Sequence, residues 1–237
     1  MKYQISKSEE RGGADHGWLN SKHSYSFANY FDQERIHFGA LRVVNDDIVT
    51  GGMGFGKHPH DNMEIITIPR KGGLKHSDSM GTGSVIEAGD IQVMSAGTGV
   101  FHAEMNAYED VTSEFFQIWI FPNAQNLEPR YQQLSIRDFA KENELYQILS
   151  PNKDDQGVWI HQKAWINQGQ FSEEKAVNYK FHDQNQGVFL MVVEGEIEFD
   201  GRILTKRDSI EISETEELNF KALANSEVLL IEVPLIF

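Results

Sequence analysis

The chain has 237 residues, enough for one large or two small domains with a sizeable buried core. Its 40% hydrophobic content is that of a globular protein, and the absence of cysteine excludes disulfides, iron–sulfur clusters and thiolate-held zinc, leaving nitrogen and oxygen to hold any metal. A net charge of -15 with no cluster of Lys and Arg argues against nucleic-acid binding, where phosphate neutralisation needs such a cluster.

The first residues, Met1 to Lys7, lack the apolar run of a signal peptide. No stretch approaches the roughly 18 apolar residues of a membrane-spanning helix. A cytoplasmic protein with no membrane partner is therefore expected. Short runs rich in β-branched and aromatic residues predict strands at Ala40–Val44, Met63–Ile68, Asp90–Met94 and Phe115–Phe121. Gly51-Gly52, Gly72-Gly73 and Gly81-Thr82-Gly83 mark turns between them, a spacing that predicts a sandwich or barrel. After Pro122 the chain turns polar. The stretch Ser135 to Glu144, charged and with Ile136 and Phe139 three apart, predicts a helix and a linker. A second strand-rich unit follows at Val188–Val193, Glu196–Phe199 and Val228–Val233, with Asp200-Gly201 as a tight hairpin turn. The two units share a rhythm without a strict sequence repeat, and the expected domains are 1–134 and 135–237.

The chemistry is concentrated in the first unit. His58-Pro59-His60 and His102-Ala103-Glu104 each place two ligand-type side chains two residues apart, hence on one face of a strand. Adjacent strands would bring three imidazoles and one carboxylate to a common point. Such a set holds one divalent ion with coordination positions left open. Glu64 is in phase with the first pair and Asn106 with the second, so spacing alone leaves open which glutamate is the ligand. Gln117 shares a strand face with Phe115 and Trp119, and if buried its amide needs partners. His76 is expected to face solvent or cap a turn, and His16 and His23 to play hydrogen-bonded structural roles. His161 and His182 are expected at the surface or between the domains.

The pattern Gly52, five residues, His58-x-His60, three residues, Glu64 is similar to the first signature of the cupin superfamily. Gly89 followed by Gly97-Thr98-Gly99, His102 and Asn106 approximates the second, without its usual proline. Several further segments resemble the pirin family: His16-Gly17-Trp18-Leu19, His23-Ser24-Tyr25-Ser26-Phe27-Ala28, Gly56-Lys57-His58-Pro59-His60 and Met94-Ser95-Ala96-Gly97-Thr98-Gly99. So do His102-Ala103-Glu104, Gln117-Ile118-Trp119 and Pro129-Arg130-Tyr131. The likeness is dense to about residue 131 and looser beyond. It implies an all-β bicupin, two packed jelly-roll-like cupin barrels with metal in the N-terminal one only. It also implies one divalent ion, Fe(II) first, held by His58, His60, His102 and Glu104, with Glu64 in a supporting place. A nitrogen–oxygen site of this kind also accepts Ni, Co, Cu, Mn or Zn.

Some pirins open quercetin with dioxygen, while animal pirin is described as an iron-dependent transcriptional cofactor. The expected function is thus a dioxygenase that cleaves a flavonol, or another enolisable aromatic, with release of carbon monoxide. The alternative is a non-catalytic, metal-dependent regulatory or protein-binding role. Three neutral imidazoles and one carboxylate leave a divalent site near plus one in charge, which attracts an anionic oxygen and lowers the pKa of a bound hydroxyl. Glu104 is the expected base. Phe55 and Phe101 are expected to line a slot for a flat substrate, with Glu64, Asn106 and Gln117 supporting the ligands. Two barrels packed within one chain make a monomer the expected state.

Overall fold

Side chains that alternate between two environments run through nearly the whole chain, and alternation of that kind makes sheet. A computed structural model describes residues 1–237 as twenty-two strands, one 3-10 turn at Ser8–Glu10 and no α-helix. The first half contains β1 (Lys2–Ser6), β2 (Gly12–Asp15), β3 (Leu19–His23), β4 (Leu41–Val49), β5 (Gly54–His60) and β6 (Glu64–Lys71). It continues through β7 (Gly73–Asp78), β8 (Gly83–Glu87), β9 (Asp90–Ser95), β10 (Val100–Asn106), β11 (Ser113–Ile120) and β12 (Arg130–Ser135). The second half has β13 (Leu145–Ser150), β14 (Val158–Trp159), β15 (Trp165–Phe171), β16 (Lys175–Lys180) and β17 (Gln186–Glu194). It ends with β18 (Glu196–Phe199), β19 (Arg202–Thr205), β20 (Ser209–Ser213), β21 (Glu217–Ala222) and β22 (Ser226–Pro234).

These strands form two sandwiches on one plan, as expected for a bicupin. The first pairs a seven-stranded sheet, β12-β9-β6-β11-β4-β3-β2, with a four-stranded one, β5-β10-β7-β8. The second pairs β1-β20-β17-β22-β15-β13-β14 with β16-β21-β18-β19. Taken in order, β4 to β11 of the first correspond to β15 to β22 of the second, strand for strand. The edges depart from a simple repeat, because β1 lies in the second half's large sheet, paired to β20 from Lys2↔Ser213 to Ser6↔Ser209.

The two large sheets pack back to back. Ile66 and Ile68 of β6 and Phe116, Ile118 and Ile120 of β11 meet Phe189, Met191 and Val193 of β17 and Leu229, Ile231 and Val233 of β22. All belong to one core of 25 buried residues, each worth about 1.5–3 kcal/mol when fully buried. Two ion pairs cross the same seam, Arg70 with Glu227 and Arg207 with Asp46.

The helix expected at Ser135 to Glu144 does not form. Only one turn closes there, with Phe139 N and Ala140 N both bonded to the Ile136 carbonyl, and Asn143 then takes a positive φ of 60°. Ile136 is buried in the seam core and Phe139 packs against it, so the three-residue spacing anchors a single turn instead of a helical face. With Phe116 fully buried in this shared core, Phe116→Ala should cost about 3–5 kcal/mol. Urea unfolding followed by tryptophan fluorescence and far-UV circular dichroism should then give one coincident, left-shifted transition; two separate transitions would show that the halves unfold independently.

Candidate metal centre

β5, β10 and β7 are neighbours in the smaller sheet of the first sandwich, and each turns histidine inward. His58 and His60, two apart on β5, share a face, and antiparallel register sets His102 of β10 directly opposite His58. Their ring centroids form a compact triangle: 4.8 Å for His58–His60, 4.4 Å for His58–His102 and 4.9 Å for His60–His102. Past His102 the pairing slips, so that Gly56 and Lys57 oppose the single residue Ala103 before Phe55 meets Glu104. Bulges of this kind commonly re-aim side chains beside functional sites.

Hydrogen bonding and protonation both leave lone pairs for a ligand. His58 Nδ1 donates to the Gly56 carbonyl at 2.8 Å, which selects the tautomer with a bare Nε2. His60 Nε2 and both ring nitrogens of His102 are buried without any hydrogen-bond partner. Orphaned polar atoms are uncommon in a folded interior unless another group satisfies them. Burial, with the neighbouring His102 and His58 rings, holds His60 down to about 4. Burial, with His58 and His76, holds His102 down to about 3. Both rings are therefore neutral at pH 7, the form that binds metal. Ligand atoms of His58, His60 and His102 lie within 4.8 Å of one another, and so do those of His76, His102 and Glu104. This donor set, imidazoles with one carboxylate, fits a divalent ion of nitrogen–oxygen preference.

Glu104 is buried and held at both oxygens, by Thr67 Oγ1 at 3.3 Å and by Gln117 Nε2 at 2.9 Å. Gln117 Oε1 in turn accepts from Trp119 Nε1 at 3.3 Å. Gln117 thus faces the interior with its amide satisfied. His76 departs from its expected place in solvent: it is 1% exposed, with Nε2 2.9 Å from Asp78 Oδ2 and its ring 4.8 Å from that of Tyr131. Reading β7 as a strand, with His76 in the inward phase, was the signal that could have found it.

Glu64 and Asn106 stand elsewhere. The turn at Asp61-Asn62-Met63, with Asn62 at φ 46°, passes the chain from the small sheet to the large one. Glu64 consequently faces the seam, where Ser95 Oγ donates to it at 2.6 Å and burial lifts it to about 7. Asn106 supports backbone, its amide donating to the Val49 and Val111 carbonyls. Phe101 is 50% exposed on the outer face of β10 and does not line the cavity, since it alternates with the inward His102.

Phe55 does line the cavity, a space of about 370 Å³ that also reaches His58, His60, Glu104 and Gln117. Its aromatic walls include Trp18 edge-on to Phe55 at 5.4 Å and Phe27 edge-on to Trp119 at 5.3 Å. His16 lies on its lining, and so do Ser21, His23, Asn45 and Asp47 from β3 and β4. His23 is hydrogen-bonded, as expected, with Nδ1 2.9 Å from Asn45 Oδ1. Asp47 was not anticipated. It is buried, and desolvation lifts it to about 7 although Ser21 donates to it.

The chain matches the family model for pirin over residues 4–120 and the model described as the quercetinase C-terminal cupin domain over residues 147–233. A quercetin 2,3-dioxygenase of Escherichia coli K12 is 37% identical over 230 residues, covering 97% of this chain and 98% of that protein. A pirin-like protein of Caulobacter vibrioides is 36% identical over 225 residues, covering 94% and 96%. The crystal structure of bacterial pirin YhhW in complex with nickel(II), from Escherichia coli, has a TM-score of 0.92 at 35% identity, covering 98% of this chain and 99% of that one.

The depressed histidines carry a pH signature. In metal-free protein the unfolded chain takes up protons near pH 6.5 that His60 and His102 refuse until about 4 and about 3. These two groups therefore withdraw stability as pH falls below 6.5. Imidazole resonances of both should hold their neutral positions down to pH 5 in a proton NMR titration; movement centred near 6.5 would mean that the rings are not buried as described.

Proposed function

This chain belongs to the pirin family, and on that premise we propose that it is a metal-dependent dioxygenase that opens a flavonol such as quercetin with release of carbon monoxide. The reading rests above all on three converging imidazoles beside a carboxylate, at the end of an aromatic-walled cavity. His58, His60, His102 and Glu104 would hold the ion, which we assign as Fe(II), with Ni(II) the ion named for the similar bacterial pirin. When bound, the ion supplies a Lewis-acid site that draws in the adjacent hydroxyl and carbonyl oxygens of the flavonol and lowers the hydroxyl pKa.

The chain's own groups supply the rest. Glu104 accepts the proton of the flavonol hydroxyl, and Gln117 and Thr67 hold its two oxygens in place for that task. Asp78 fixes His76 against the buried side of His102. Trp18, Phe27, Phe55 and Trp119 give a flat apolar surround that excludes water from the bound ring system.

His58→Ala should lose bound metal and the oxygen-dependent bleaching of quercetin together. Glu104→Gln should lower turnover by a factor on the order of 100 or more in protein of matched metal content. Full turnover by metal-loaded Glu104→Gln removes the base role. No bleaching with iron-, nickel-, cobalt-, copper- or manganese-loaded protein would transfer the function to metal-dependent binding.

A further inference from the structure

One wall of the cavity carries polar side chains that neither the ligand set nor the base employs. Register places Thr67, Gln117, Asn45 and His23 in a single row across β6, β11, β4 and β3. With strands about 4.8 Å apart, Asn45 stands roughly 5 Å and His23 roughly 10 Å from Gln117 along that row. Thr67 and Gln117 hold Glu104, so this end of the row belongs to the metal centre. The other end is free of it.

At that end His23 Nδ1 donates to Asn45 Oδ1 at 2.9 Å, and the tautomer so fixed makes Nε2 an acceptor. Nε2 has no partner, although His23 is only 2% exposed and forms part of the cavity lining. Two residues along from Asn45, Asp47 takes the Ser21 hydroxyl on one carboxyl oxygen and makes no hydrogen bond with the other. It too is buried and lines the cavity. Buried acceptors left without donors are costly, and a ligand that brings donors relieves that cost.

We infer that His23 and Asp47 form a second recognition pole, which selects aromatic substrates carrying hydroxyl groups on the ring remote from the metal-binding oxygens. The substrate class rests on the flavonol reading above. His23 Nε2 accepts, and a donor set against Asp47 favours its ionised, accepting form, so the ligand must donate to both: a phenolic O–H fits, whereas a methyl ether or a bare C–H does not. A pair of neighbouring ring hydroxyls offers one donor to each acceptor. The separation of the two poles matches a hydroxyl carried on a second, linked ring, because a substituent beside the chelating oxygens falls short of β3.

The test compares quercetin, its methyl ethers on the remote ring and 3-hydroxyflavone, whose only hydroxyl is the chelating one. Binding is read without turnover, as quenching of tryptophan fluorescence (Trp18 and Trp119 line the cavity) in anaerobic, metal-loaded protein. Wild type should bind quercetin at least about tenfold more tightly than 3-hydroxyflavone or the ethers. His23→Phe, which keeps a ring of similar size, and Asp47→Ala should each cut that ratio to about threefold or less, with metal content and melting temperature recorded as fold controls. Equal affinities in wild type, or a ratio that survives in both variants, overturns the second pole. Aerobic bleaching is scored separately. Discrimination without turnover keeps the pole and removes the dioxygenase reading, turnover without discrimination does the reverse, and no binding of any compound removes both.

Discussion

The back-to-back packing of the two large sheets is the constraint on which the rest depends. Its core of 25 residues lies between the sandwiches, whereas the interior of the first sandwich holds only clusters of five and three buried apolar residues. A sheet buried on both faces ordinarily needs apolar side chains on both. Here the seam face of β6 and β11 supplies the apolar burial, so the inner face can carry Thr67, Gln117 and Trp119. The first barrel is stabilised from outside. Its interior is thereby free to hold histidines, a carboxylate and open space.

Alternation then sorts charge as well as hydrophobicity. Asp46 and Asp47 are adjacent on β4 and meet opposite environments. Asp46 faces the seam, where Arg207 Nε lies 2.7 Å away and Arg11 adds a longer contact at 3.4 Å. Asp47 faces the cavity with no cation beside it, and burial raises its pKa. Glu64 and Glu104 divide in the same way, one to the seam and one to the cavity. A carboxyl in the seam is a tie between barrels, while one in the cavity is available to a ligand. For Asp46 and Asp47 the difference is set by one residue of phase.

Legibility in the sequence followed the reach of that phase. Within one strand it was sound: His58 with His60, His102 with Glu104, and Phe115 with Gln117 and Trp119 all share faces as period-two spacing requires. The same rule placed Phe101 opposite to His102, and its exposure follows from spacing already present in the chain. Across a turn the rule failed. Counting from His60 to Glu64 passes Asn62 in a left-handed conformation, which transfers the chain to another sheet and resets which face is inward. Asn106 was in phase yet closed a loop, because a side chain at a strand end meets backbone first. His23 and Asp47 were out of reach for another reason. They meet only through the β3–β4 register, across a connection of residues 24–40 that no local pattern spans.

The second sandwich shows what this topology does when it has no site to house. Its inner core gathers 15 buried residues, nearly twice the two clusters of the first combined. On β16 and β21, the counterparts of β5 and β10, Val177 lies opposite Phe220 and Tyr179 opposite Leu218, where the first sandwich sets His58 against His102. Phe220 and Leu218 belong to that apolar core, so no pair of ligands is offered. Part of the polarity that remains is closed on itself. Buried Glu232 accepts from Tyr179 Oη at 2.7 Å and from the His182 backbone at 2.7 Å, and the His182 ring stacks on Trp165 at 4.2 Å. A filled barrel can supply stability but has no room for a ligand, whereas an open one depends on a neighbour for its rigidity. The back-to-back seam joins one of each, and it lets the histidine-bearing barrel keep orphaned imidazoles that an isolated sandwich of this size would have to bury at its own cost.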